Sequence, residues 1–264
     1  MSKKAKVIVI RTAGTNCDYE TVTAFELCGA EVDLVHINQL LRKEVDILNY
    51  QILAIPGGFS YGDDVASGKI LANEIQYRLI DTISRFVSER RLIIGICNGF
   101  QVLVKTGLLP GIDGIDKKEY TTLFNNDSGK FEDRWCYLKS TSNRCIFTRG
   151  LKEQIYLPVA HGEGKFITLD EKTLEYLKKN DMIVFKYVNK DGDIAGYPAN
   201  PNGSAEAIAG ICNPGGNILG LMPHPERFVT RYNHPRWTRE KLPEEGDGLA
   251  LFRNAVEFAK KKLQ

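Results

Sequence analysis

Apolar residues along the first hundred positions fall alternately into short β-type runs and longer helical patterns. Lys6 to Ile10 is β-branched and apolar, Glu31 to Ile37 alternates through Val32, Leu34 and Val35, and Gln51 to Ile55 ends at Pro56-Gly57-Gly58. Each reads as a strand. Between the first two, Arg11 to Asn16 is a polar loop and Asp18 caps a helix that Gly29 stops. Leu71, Ile75, Leu79, Ile83 and Phe86 recur at spacings of three and four, which predicts one long helix over Asp64–Arg90. The continuous run Leu92 to Ile96 is a fourth, fully buried strand. Strand and helix alternating at this length mean a parallel sheet covered on both faces.

The second half is less regular. Pro110 to Gly129 has no sustained periodicity and reads as loop or insertion. Strands are expected at Arg134–Lys139, Gln154–Ala160 and Met182–Val188, and a short helix at Glu171–Asn180. Ala205–Cys212 and Asn217–Met222 bracket Asn213-Pro214-Gly215-Gly216, a hairpin signal. Gly248–Lys262 is a final amphipathic helix. No repeat or linker divides the chain, so one domain over 1–264 is expected, with an insertion around 111–136 and a C-terminal extension over 231–264.

Composition narrows the class. In 264 residues, 35 basic and 33 acidic side chains leave a formal charge of +2. No charge field therefore argues for nucleic acid or membrane as a partner. The basic N-terminus, Met1 to Lys6, precedes only a short apolar run, too short for a signal peptide or a span. The six cysteines are scattered with no C-x-x-C pair, so neither a metal site nor a disulfide framework is expected. Reduced thiols and a cytoplasmic location are the default.

Against that background Gly95-Ile96-Cys97-Asn98-Gly99 stands out. A strand runs into a cysteine bracketed by glycines and then into a helical segment. This is the sulfur version of the Gly-x-Ser-x-Gly elbow, which lifts a nucleophile above a sheet edge. A helix N-terminus suits a thiolate there, because its N–H groups are unsatisfied and carry partial positive charge. The competing reading is a buried packing cysteine. Pro223-His224-Pro225-Glu226 follows the last apolar strand. In extended backbone, His224 and Glu226 would project to one face. A histidine oriented by a carboxylate is the base half of a triad, although an ordinary surface pair would look the same. Pro56-Gly57-Gly58 ends the third strand, on the sheet edge where open α/β folds bind ligands. A backbone N–H there, together with that of Asn98, could form an oxyanion hole.

These residues carry a resemblance. Pro56-Gly57-Gly58, Gly95-x-Cys97-x-Gly99-x-Gln101 and His224-x-Glu226 resemble the class I, or triad, glutamine amidotransferases. Longer stretches resemble, more narrowly, the glutaminase subunits of phosphoribosylformylglycinamidine synthases: Gly57–Asp63, Gly95–Gln101, Asn126–Trp135, Pro158–Gly164 and Asn200–Glu226. The resemblance covers residues 6 to about 230. It implies a flavodoxin-like, open, mostly parallel α/β sheet with helices on both faces. It implies that Cys97 attacks the amide of L-glutamine, that His224 moves protons and that Glu226 orients it. Gly58 and Asn98 become the oxyanion donors, with Gly57 as fallback. Gln101, Ala160, His161 and Gly162 become substrate-binding residues. His161 is also a rival base, ranked second.

The chain has no nucleotide motif. The resemblance therefore implies no cofactor here, ATP and Mg on a separate synthetase subunit that makes formylglycinamidine ribonucleotide, and a small bridging subunit in split versions of the enzyme. Two departures stand out. Asp64–Lys69 replaces the usual Leu-Arg-x-Gly-type continuation. The extra length lies in 111–136 and in Arg231–Glu245, which either faces a partner or is a loop around a buried Trp237. A different class remains open: a stand-alone cysteine hydrolase of the peptidase or deglycase type, which commonly places histidine where this chain has Asn98.

Overall fold

The computed structural model describes residues 4–115 and 119–263. The extreme N-terminus at Met1–Lys3, part of the 111–136 insertion (116–118) and Gln264 lie outside the described residues. The strands are β1 (Lys6–Arg11), β2 (Glu31–His36), β3 (Ile52–Ile55), β4 (Leu92–Ile96), β5 (Thr121–Phe124), β6 (Glu132–Ser140), β7 (Gln154–His161), β8 (Lys165–Thr168), β9 (Ile183–Val188), β10 (Ile208–Cys212) and β11 (Ile218–Leu221). The helices are α1 (Asp18–Leu27), α2 (Ile37–Leu41), α3 (Lys69–Arg78), α4 (Ile80–Ser88), α5 (Asn98–Lys105), α6 (Glu171–Lys179) and α7 (Leu249–Lys262).

Nine strands form one sheet in the order β2-β1-β3-β4-β11-β10-β9-β6-β7. From β2 to β11 every neighbouring pair is parallel. The remaining pairs, β11-β10, β10-β9, β9-β6 and β6-β7, are antiparallel. The expected open α/β sheet is thus present, and the irregular second half of the chain extends it. Every residue of β3, β4 and β11 is buried. Because successive side chains point to opposite faces, both faces of the sheet centre are covered. One cover is α1 with α7, whose Phe25 and Phe252 rings meet edge-on at 4.9 Å. The other groups α3 with α4 and α5.

Several expectations need correction. The long helix over Asp64–Arg90 starts only at Lys69 and breaks at Leu79 (φ −125°, ψ −5°). Its expected first turn is instead a loop pinned by Asp63, which accepts from Ser67 Oγ at 2.9 Å and from the Gly68 N–H at 3.2 Å. Within Pro110–Gly129 lies β5, which pairs antiparallel with the equally short β8 in a separate ribbon. Trp237 is not buried: it is 47% exposed and packs edge-on against Tyr232, while α7 of the same extension buries Leu249, Leu251, Phe252, Ala255, Val256 and Ala259 in the main core. The buried ring of that segment is His234, set among Trp135, Tyr156 and Phe228.

Candidate active site

The elbow forms as its glycines require. Cys97 sits between β4 and α5 with φ +51° and ψ −104°, a strained conformation for a residue with a Cβ. A Cβ at Gly99 would lie 1.9 Å from the Ile55 carbonyl oxygen, and one at Gly95 would lie 2.5 Å from Leu103 Cδ1. Only glycine lets α5 leave β4 so close to β3. The turn is anchored by the Cys97 N–H donating to Leu221 O at 2.8 Å. Cys97 Sγ lies 3.6 Å from Ala160 O and borders a cavity of about 580 Å³. Gly58, Gln101, Ala160, His161 and Gly162 border the same cavity.

His224 reaches the site from the end of β11, and its N–H donates to Pro158 O of β7 at 2.8 Å. The chain does not stay extended here, as the proline spacing suggested. Pro225–Arg227 is a 3₁₀ turn, and it is this turn that brings Glu226 back to the ring. Nδ1 and Oε1 are 2.6 Å apart, and both side chains are almost fully buried. His224 Nε2 and Glu226 Oε2 have no hydrogen-bond partner among the described residues. Burial alone would pull the imidazolium down. The Glu226 carboxylate, with Cys97 and Cys17 beside the ring, outweighs it, and His224 is held well above its ordinary value.

Gly57 marks where these parts meet. A Cβ built there falls 2.7 Å from His224 Cε1, 3.3 Å from Cys17 Sγ and 3.4 Å from Cys97 Cβ. The Gly57 carbonyl accepts from the Cys17 N–H. Gly58 (φ +132°) borders the cavity and Gly57 does not, which favours Gly58 as a donor to substrate. Asn98 opens α5, where first-turn N–H groups lack intrahelical acceptors. Its side chain is committed elsewhere: Oδ1 accepts from the Ser60 N–H, and Nδ2 donates to Asp63 Oδ1 and Gln101 Oε1. Gln101 Nε2 donates in turn to Glu163 O at 2.6 Å.

His161 is not placed as a base. Its ring is tied at both nitrogens, Nδ1 to Asn126 Oδ1 at 3.1 Å and Nε2 to Asn202 Nδ2 at 3.4 Å. Burial, then the charge of His224, hold it down at about 3. Asn126 also donates to His161 O and accepts from the Gly164 N–H, and Asn202 donates to Gly164 O. Two stretches far apart in sequence thereby fix the 160–164 loop that borders the cavity. The sequence places Asn126 and Asn202 within longer motif stretches, and Asn126 with the segment to Arg134 on a candidate partner face, but not beside His161. Its signal for them was a turn-rich, amide-rich composition, which does not reveal a buried network.

A pH dependence follows. The folded value of His161 (about 3) lies below the unfolded one (about 6.5), so the unfolded chain takes up the proton first. Its contribution is whole above pH 6.5 and is lost as pH falls toward 3. His224, held high, acts oppositely: its contribution is whole below pH 6.5 and is lost as pH rises through its folded value. Denaturant titrations of wild type and His161→Gln should therefore differ in slope by up to about 1.4 kcal/mol per pH unit below 6.5. Parallel profiles would show that the buried ring accepts a proton without cost.

Cys17 was missed altogether. It, and not Asp18, occupies the N-cap position of α1, without a side-chain capping bond; it is 1% exposed and brings Sγ to 3.9 Å from His224 Nδ1. Among the described residues, Cys17, His224 and Glu226 are the one Cys/His/carboxylate group whose donor atoms all lie within 4.8 Å of one another. The set is poorly suited to a cation: the Arg227 guanidinium donates to Cys17 Sγ at 3.1 Å, and Glu226 already occupies His224 Nδ1.

The family model of the CobB/CobQ-like glutamine amidotransferase domain matches residues 4–259. The chain is 51% identical over 259 residues to the phosphoribosylformylglycinamidine synthase subunit PurQ of Dehalococcoides mccartyi, covering 97% of this chain and 98% of that one. It is 42% identical to the subunit of the same name from Methanococcus maripaludis, with 97% and 98% covered. Among solved structures, the PurLQS structure from Thermotoga maritima contains a chain that superposes with a TM-score of 0.74 at 32% identity, covering 97% and 99%. With an elbow cysteine, a buried His–Glu pair and this full-length likeness, the chain belongs to the CobB/CobQ-like glutamine amidotransferase family.

Proposed function

We propose that this chain is the glutaminase subunit of phosphoribosylformylglycinamidine synthase and works as one domain. It hydrolyses L-glutamine and passes ammonia to an ATP-dependent synthetase subunit, which converts formylglycinamide ribonucleotide to formylglycinamidine ribonucleotide in purine biosynthesis. The observation that carries the chemistry is the buried His224–Glu226 pair at 2.6 Å, gathered with the strained Cys97 around Gly57. The full-length similarity to PurQ subunits carries the choice of pathway step.

In this reading His224 holds the Cys97 proton at Nε2 before Sγ attacks the glutamine carboxamide carbon. Glu226 stabilises the imidazolium that results. The N–H groups of Asn98 and Gly58 hold the tetrahedral oxyanion, and each such donor is worth about 2.7–4 kcal/mol. Collapse expels ammonia, protonated by His224, and leaves a glutamyl thioester. His224 then deprotonates the water that releases glutamate. Gln101 and the 160–162 segment line the substrate's path. ATP and Mg belong to the synthetase, and a small third subunit bridges the two. The face toward these partners includes the insertion and Arg231–Glu245, where Arg231 and Arg236 are already paired with Glu244 and Glu240.

Among the described residues no helix is long and apolar enough to cross a membrane, and we place the complex in the cytoplasm. A stand-alone peptidase or deglycase is disfavoured by Asn98 at the position after the nucleophile. The test is ammonia release from glutamine by the purified chain, alone and with the synthetase, formylglycinamide ribonucleotide and Mg-ATP. Weak activity alone that rises sharply in the complex is expected. High activity alone, or none in either state, would return the chain to the independent hydrolases or to a binding role.

A further inference from the structure

We propose that Cys17, held by Arg227, is a positioning residue for the triad histidine. The inference rests on the glutaminase reading above. The His224 ring is fixed by a single strong bond, Nδ1 to Glu226 Oε1, and a ring held at one nitrogen can still tilt. Two neighbours limit that tilt. Gly57 lies against Cε1, so close that a Cβ there would stand 2.7 Å from it. Cys17 Sγ stands 3.9 Å from Nδ1, the nitrogen that the carboxylate holds.

The sulfur is itself held in place. Its thiol donates to Asn16 Oδ1 at 3.1 Å and it accepts from Arg227 Nη2 at 3.1 Å. Arg227 is steadied from α1 by Glu20, at 3.4 Å. The backbone of Cys17 is fixed too, with its N–H on Gly57 O and its carbonyl taken by the Thr21 N–H and Oγ. One residue thus joins the oxyanion turn, the start of α1 and the edge of the imidazole. The side chain fills space beside the ring without taking the Nδ1 proton, which Glu226 Oε1 already holds at 2.6 Å. Cys17 does not border the cavity. It therefore acts through His224, not on the substrate.

The experiment uses the assembled complex with synthetase, and compares glutamine-dependent with ammonia-dependent synthesis. Cys17→Ala should lower kcat with glutamine by about ten- to a hundredfold, the scale of a small misplacement of a reacting group. KM for glutamine should stay within about twofold, because no substrate contact is removed. The ammonia-dependent rate should be unchanged. Cys17→Ser keeps a donor and an acceptor on the same bonds and should recover most of the loss. Arg227→Met, which leaves the sulfur without its donor, should show the same kcat-only pattern more weakly and serves where Cys17→Ala does not fold.

An unchanged kcat in Cys17→Ala, a loss shared by both nitrogen sources, or a serine variant no better than alanine would each overturn the positioning role. A wild-type complex that releases no ammonia from glutamine would overturn the glutaminase reading and this inference with it.

Discussion

Cys97→Ser is expected to abolish glutamine-dependent synthesis by the complex while leaving ammonia-dependent synthesis intact. The predicted loss is about 10⁴-fold or more, the scale seen when a member of a nucleophile–base unit is removed. Serine at 97 would occupy the same strained elbow, with the same N–H anchored on Leu221 O, so the fold should be retained. What it lacks is a nucleophile that ionises readily. A hydroxyl must lose its proton to His224 against a far larger difference in acidity than a thiol. Ammonia added from solution bypasses this step, because ligation takes place on the synthetase. Steady-state rates with each nitrogen source decide the matter. Loss of both would make Cys97 a packing residue of the elbow, and retention of the glutamine rate would remove it from the chemistry.

Why the elbow was readable and other parts were not has a local explanation. Gly95, Cys97 and Gly99 lie within five residues, and their spacing is dictated by contacts that the same segment makes with β3 and α5. Steric demands of that kind are written in consecutive positions. The parallel strands were legible for a similar reason: burial on both faces leaves β3 and β4 continuously apolar. The misread start of α3 depended instead on Asp63, one side chain whose hydrogen bonds to Ser67 and Gly68 compete with the first helical turn. The apolar spacing through Leu71 to Phe86 persists across the break at Leu79, so periodicity alone could not show it. β5 and β8 are four residues each, too short for alternation to separate them from loop.

Within the site, the pairing of His224 with Glu226 was anticipated, but its geometry was not. Two prolines at this spacing are compatible with extended chain and with a 3₁₀ turn, since both accept φ near −65°. Tertiary contact decides between them, through the His224 backbone N–H held on Pro158 O of β7, a strand distant from β11 in the sheet. Cys17 was invisible because nothing in residues 11–18 records what approaches from residue 224. The same holds for Asn126 and Asn202, which meet around His161 and Gly164. Single-residue roles that depend on contacts between distant segments are where folding adds information to the chain.

Replacing His224 should cost more than replacing Glu226. His224→Ala removes the proton carrier and should reduce glutamine-dependent kcat by about 10⁶-fold, whereas Glu226→Ala should cost about 10⁴-fold, as expected of the orienting member. The structure adds a stability signature to this ranking. Glu226 is buried, its Oε1 is bonded to His224 and its Oε2 has no partner among the described residues. Deleting the histidine leaves a buried carboxylate uncompensated, a change that typically costs about 3–5 kcal/mol. His224→Ala should therefore lower Tm at neutral pH and recover part of it in mild acid, as the stranded carboxylate takes up a proton. Glu226→Ala removes the charge and should show no such recovery. Kinetic assays with both nitrogen sources, paired with thermal unfolding between neutral and mildly acidic pH, separate the effects. A Glu226 variant more impaired than its His224 counterpart would reverse the roles assigned here, making the carboxylate the group that meets the reacting atoms.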